Sequence, residues 1–383
     1  MSWPVYAEDE IAAVADVLSR GQGNAWSGPD VAAFEQAYAA HLGLPYAVAL
    51  ANGTVALELA LKGLGIGPGD EVLVTARSFM ASASAIVALG ARPVFADVDA
   101  DSQNVTARTL EAARTPRTRA AVLVHLAGWM CEMDSILAWA REHGIKTVED
   151  CAQAHGASYR GRPAGSLGDA AAWSFCQDKI MSTGGEGGMV TTACEAVWRR
   201  VWSLKDHGKQ PGRPAGAGPG FQWVHEEFGG NARMTAMQAA IGRLQLGKCA
   251  GWVAARRERA QALMDAAARY PALRVARPPA HIGHAYYRCY LFVRPRALRA
   301  GWTRDGLLAA LQAHGVRAFQ GSCPEIYREA AFRRAGLAPP APLPVARELG
   351  LTSLAFPVDP GVGPDEAEHR LRVLDALMAR ASR

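Results

Sequence analysis

Between Tyr46 and about residue 200 the chain alternates short apolar runs with stretches of helical spacing, and this alternation constrains the fold more than any other feature. AVALAN (47–52), EVLVTA (71–76), RPVFADV (92–98), AAVLVHL (120–126), KTVED (146–150), AAAWSF (170–175) and GMVTT (188–192) read as strands. TVALELALKGL, ASASAIVALG and SILAWAREHG read as helices between them. Short apolar strands that each lead into a helix predict an α/β domain with a mostly parallel sheet, since parallel neighbours are joined by helical crossovers. In such sheets ligand groups collect at the carboxyl ends of the strands.

Beyond residue 200 the pattern changes. KQPGRPAGAGPG (209–220) is a Gly/Pro-rich loop. ARMTAMQAAIGRLQL (232–246) has a helical apolar face, and WVAARRERAQALMDAAARY (252–270) is again helical. YYRCYLFVRP alternates like a strand, GLLAALQAHG is helical, and a Pro-rich segment (338–350) precedes a last helix at 365–380. The expected division is a large domain over 1–245, with 1–25 as an amino-terminal arm or helix, and a smaller α+β domain over 246–383.

Charge and cysteine content exclude several classes. The formal net charge of +5 is spread without a dense basic tract, so nucleic acid is not expected as a partner. Seven scattered cysteines form no CxxC pair, which argues against a disulfide framework and against a metal site. No apolar run approaches the roughly 18 residues of a membrane helix, and the amino terminus lacks the pattern of a signal peptide. The expectation is a cytoplasmic protein without membrane contact.

The chain has six lysines against 35 arginines. One of them, Lys179, lies in SFCQDKIMSTGGEGGM (174–189), between a strand and a glycine-rich loop. A surface lysine on a loop is the plain reading of this stretch. However, a lysine amine can lose its proton and attack a carbonyl, which arginine does not do. The other strand ends carry Asn52-Gly53-Thr54, Arg77-Ser78-Phe79, Asp150 with Gln153 three residues on, and Ser174. Taken singly, Asn52 or Thr54 is an ordinary helix cap and Phe79 a core residue. Taken together they meet the needs of pyridoxal 5′-phosphate. That cofactor requires an amine for its aldehyde, an acid for its pyridine nitrogen, a donor near its phenolic oxygen, a surface for its ring and a cradle for its phosphate.

Three stretches resemble signatures of the DegT/DnrJ/EryC1/StrS sugar aminotransferase family, within the fold type I superfamily. They are WSGPDVAAFEQAYAAHLGLPYAVALANGTVALELAL (26–61), VEDCAQAHGASYRGRPAGSLGDAAAWSF (148–175) and GGNARMTAMQAAIGRLQL (229–246). The resemblance implies a large domain with a mostly parallel sheet of the seven-stranded type. It implies Lys179 as the amine that joins the cofactor aldehyde and Asp150 as the partner of the ring nitrogen. Gln153 falls to the phenolic oxygen, Phe79 to the ring face, and Gly53, Thr54 and Ser174 to the phosphate. Asn231 would reach the cofactor of a neighbouring subunit, so a homodimer is implied. The implied reaction is ping-pong transfer of an amino group from L-glutamate to a keto-sugar, in amino-sugar biosynthesis. Rival readings are a keto-cyclitol acceptor, a sugar dehydratase, and a binding protein that keeps the fold without turnover.

The chain departs from the family pattern in places. Ile180 follows the lysine where asparagine is usual, and Cys176-Gln177-Asp178 replaces a segment in which proline and threonine are common. LAFPVDP stands where a histidine-containing stretch is usual, and the 209–220 loop is long. Substrate contacts are expected in 209–223 and 319–330. His125 and His155 near strand ends read as structural, and Cys151 and Cys176 as small buried hydrophobes.

Overall fold

The computed structural model describes residues 3–212 and 223–383 of the 383-residue chain. Its centre is a seven-stranded sheet. In spatial order the strands are Tyr46–Leu50, Gly188–Thr192, Ala170–Ser174, Lys146–Asp150, Thr118–Val124, Glu71–Thr75 and Arg92–Ala96. All neighbours pair in parallel except Gly188–Thr192, which is antiparallel to both of its neighbours. That strand follows Ala170–Ser174 through a loop with no crossover helix, so the chain can only return in the opposite direction.

Side chains alternate across each strand, and the sheet therefore divides its apolar residues between two cores. Leu73, Ala121, Leu123, Ala171, Trp173 and Met189 pack on one face. Val72, Val74, Val122, Val124, Val148 and Val190 pack on the other. Both faces are covered, which is why these strands read as continuous apolar runs.

Helix Ala236–Ala267 is unbroken over 32 residues and passes straight through positions 245 and 246. It begins four residues later than the apolar pattern suggests. Thr235 and Gln238 form a reciprocal cap there, each side chain accepting from the other's backbone N–H, and this fixes the start at Ala236. After the helix, strands Leu273–Arg274, Cys289–Val293 and Ser353–Phe356 form a small antiparallel sheet with its own apolar core. A third small sheet pairs Ile282–Gly283 with Ser158–Tyr159, and so ties the carboxyl-terminal segment to the region just after Asp150. The Pro-rich stretch contains a helix, Pro344–Thr352, with proline in its first turn where no N–H is needed. Of the Gly/Pro-rich loop, residues 213–220 lie outside the described residues.

Candidate active site

The parallel strands end at one edge of the sheet, and a cleft of about 970 Å³ opens there. Gly53, Thr54, Phe79, Asp150, Gln153, Ser174 and Lys179 all line it. Asn231 does not; it is exposed, in a segment whose residue Ala232 accepts from the Ala51 N–H. The opposite wall comes from Tyr287, Arg288, Tyr290 and the segment 319–323. In the other segment expected to contact substrate, 209–223, residues 213–222 lie outside the described residues, and Lys209–Gly212 and Trp223 are not on the cleft wall.

Each residue has a local reason for its place. Asn52 caps helix Gly53–Gly63 by accepting from Val55 N–H at 3.0 Å, so the capping role seen in the sequence is real. That cap leaves the N–H groups of Gly53 and Thr54 at the open helix end, where the helix dipole favours an anion. Gly53 must be glycine, because a Cβ there would lie 2.5 Å from the Cβ of Ser174. The close approach brings the Ser174 hydroxyl against the helix start. Phe79 is not in the core; it is 69% exposed on the cleft wall, with its ring free to cover a planar ligand.

Asp150 is buried at the end of its strand. One carboxylate oxygen accepts from Ser82 Oγ at 2.7 Å and the other from Ala152 N–H at 3.1 Å. Burial pushes its pKa up, and Ser82, Ala152 and the charge of Lys179 only partly oppose this. A lowering of its pKa would therefore have to come from a cation placed beside it, such as a protonated ring nitrogen. The Gln153 side-chain oxygen accepts from Ala127 N–H at 2.7 Å, which leaves its amide nitrogen as the donor toward the cleft. Lys179 is nearly buried and lies 3.1 Å from Asp178. Burial works to lower its pKa, yet Tyr287 and Asp178 hold it above the ordinary lysine value.

The two histidines have structural roles. His155 Nε2 faces the Ser174 carbonyl at 2.9 Å, so this nitrogen carries the proton, and Nδ1 accepts from the Tyr38 hydroxyl at 2.9 Å. Burial drops its pKa to about 4. His125 Nδ1 accepts from Cys131 N–H, so Nε2 donates to Glu149 at 2.8 Å. Glu149 also accepts from the N–H groups of Gly165, Leu167 and Gly168. His125, Glu149 and Cys151 lie close enough to suggest a metal site, but these bonds already occupy both histidine nitrogens and the carboxylate. Cys151 is buried, whereas Cys176 is half-exposed on the cleft wall and is not the buried hydrophobe its sequence suggests.

Ser82, Asp178, Tyr287 and Trp3 were not visible as site residues in the sequence. Trp3 donates its indole N–H to the Lys179 carbonyl at 2.8 Å from 176 positions away. Tyr287 reaches the lysine loop from 109 positions away. Nothing in local sequence announces contacts of that range.

An amine, a buried acid, a free side-chain donor, an open ring surface and an anion cradle on one cleft fit pyridoxal phosphate in every functional group. The fold, and the donor set gathered at its strand ends, are those of a pyridoxal-phosphate-dependent aminotransferase of fold type I. More narrowly, the chain belongs to the DegT/DnrJ/EryC1/StrS aminotransferase family, whose pattern matches residues 4–377. A solved aminotransferase from Psychrobacter cryohalolentis superposes with a TM-score of 0.96 at 46% identity, over 99% of this chain and 98% of that one. GDP-perosamine synthase of Caulobacter vibrioides is 44% identical over 229 residues, 60% of this chain and 59% of that enzyme. The dTDP-3-amino-3,4,6-trideoxy-alpha-D-glucose transaminase of Streptomyces venezuelae is 35% identical over 97% of this chain and 92% of that one.

Proposed function

We propose that this aminotransferase moves an amino group from L-glutamate to a keto-sugar carried on a nucleoside diphosphate, for amino-sugar biosynthesis. The observation that carries this reading is the opening of Lys179 and Asp150 onto one cleft whose far wall is aromatic and cationic. The names of the Caulobacter and Streptomyces relatives, both concerned with nucleotide-linked amino sugars, support the acceptor class. Tyr290 and Phe319 offer apolar surface to a sugar or base, and Arg288 lies on the cleft wall, donating to the Tyr287 carbonyl, with its charge felt by Asp178. A guanidinium in that position suits the carboxylate of the donor.

Pyridoxal phosphate, when bound, supplies an aldehyde that exchanges amines and a ring that accepts electrons. Lys179 Nζ would be the amine that holds the aldehyde, and as a free amine it would move the proton of the donor's α-carbon. The Asp150 carboxylate keeps the proton on the ring nitrogen. Gln153 would donate to the phenolic oxygen, and Phe79 would shield the ring from water. Gly53, Thr54 and Ser174 bind the phosphate. Asn231 serves the site of a second subunit in a homodimer. The chain itself keeps two units, an amino-terminal one to residue 245 and a carboxyl-terminal one from 246, sharing the long helix.

Two measurements test this. Mass spectrometry of reactions with L-glutamate and a panel of nucleotide-linked keto-sugars should show an amino-sugar and 2-oxoglutarate, with parallel-line initial-rate plots; a nitrogen-free product would indicate a dehydratase. Lys179→Ala should lose both turnover and the visible absorbance of the lysine-bound cofactor.

A further inference from the structure

The lysine loop carries an acid immediately before its lysine, at one of the positions where the chain leaves the family pattern. Asp178 divides its two carboxylate oxygens. Oδ1 lies 3.1 Å from Lys179 Nζ, and Oδ2 accepts a hydrogen bond from the Tyr287 hydroxyl. Tyr287 is itself fixed. Its N–H donates to the Ala127 carbonyl at 2.8 Å, and its ring is covered by Arg288, with Cζ 4.5 Å from the ring centre. The same ring lies 5.2 Å from Lys179 Nζ. A wall from the carboxyl-terminal part of the chain therefore holds the acid that holds the lysine.

The other groups that face Lys179 do not perform this task. Asp150, at the adjacent strand end, is engaged by Ser82 and Ala152. His155 is held neutral by burial, which outweighs the Ser174 carbonyl that favours a proton on the ring. Cys176 lies on the same loop with its thiol toward Glu186 at 3.9 Å, and Arg288 carries the same sign as the lysine. Asp178 is the carboxylate in ion-pair contact with the amine, although its side chain remains 49% exposed.

We infer that Asp178 is a positioning residue for Lys179: fixed by the Tyr287 hydroxyl, its carboxylate aims Nζ into the cleft and favours the proton on that nitrogen. This rests on the reading that Lys179 carries the cofactor. A proton kept on that nitrogen would favour exchange of the cofactor's aldehyde with the donor amine. The Tyr287 hydroxyl acts on the lysine through Asp178, whereas its ring stays beside Nζ in a phenylalanine variant, so the effect of removing the hydroxyl must vanish when Asp178 loses its charge.

The test is a spectrophotometric pH titration of the visible band of the cofactor-loaded protein, which reads the proton on the lysine nitrogen and not turnover. Asp178→Asn should move the transition to lower pH by about one unit, the lower end of the range for an opposite charge at this distance, because the carboxylate is half exposed. Tyr287→Phe should move it in the same direction by less, and the double variant should titrate like Asp178→Asn alone. Asp178→Glu, which keeps the charge, should stay nearer the wild type than Asp178→Asn does. A transition unmoved in both Asp178→Asn and Tyr287→Phe overturns the inference and leaves the assignment of Lys179 intact. If Asp178→Asn does not fold, an unmoved transition in Tyr287→Phe is sufficient to overturn it. A wild-type protein that takes up cofactor without forming the band would remove both the inference and the reading beneath it.

Discussion

Asp150 shows at the scale of one residue how burial and charge compete. Its carboxylate is out of water, and its two hydrogen bonds do not cancel the cost of its charge. A cation delivered to it, such as a protonated ring nitrogen, reverses the balance and brings its pKa down. Asp150→Asn keeps the shape and still accepts from Ser82, but removes the charge. Its half-reaction rate with L-glutamate should fall on the order of 10³-fold, while equilibrium dialysis still detects bound cofactor. A near-normal rate would take Asp150 out of the mechanism. Asp150 was legible in the sequence because an acid closing an apolar strand demands a partner. Ser82 was not legible, since a serine in a run of alanines and serines carries no mark of what it faces.

At the scale of elements, the start of helix Gly53–Gly63 is held against the end of strand Ala170–Ser174 with no space for a methyl group. Gly53→Ala would press a Cβ onto Ser174 and part the two halves of the cradle. Overpacking of this kind costs about 1–3 kcal/mol, so cofactor affinity measured by fluorescence titration should weaken by about tenfold or more. Gly67→Ala is the control, because a Cβ there meets nothing within 4 Å. The strands were readable in sequence because both faces of the sheet are covered, which leaves unbroken apolar runs. The direction of Gly188–Thr192 was not readable, since an apolar run has the same composition in either sense. The long helix was read as two because Gly247 and Gly251 interrupt its pattern; in the structure both meet open space, and the flanking turns carry the helix across.

For the whole molecule, the cleft is closed by two parts of the chain far apart in sequence, and Asn231 is exposed and not among the residues that line it. If Asn231 completes the site of a second copy, Asn231→Ala and Lys179→Ala should complement each other. Each mixed dimer would hold one intact site, so co-refolded subunits should recover up to about a quarter of wild-type activity. Activity no greater than that of the separate variants would show that each chain uses its own Asn231. Among the described residues no helix is long and apolar enough to cross a membrane. The sequence by itself determined the α/β architecture and the groups at its strand ends, because periodicity and strand-end chemistry are local and survive in a linear reading. The tertiary structure alone decided that Phe79 stands exposed, that Tyr287 and Asp178 meet at Lys179, and that Trp3 grips the lysine loop. Those are contacts between residues more than a hundred positions apart, or a choice between core and cleft that the same side chain satisfies equally well. Only packing decides between them.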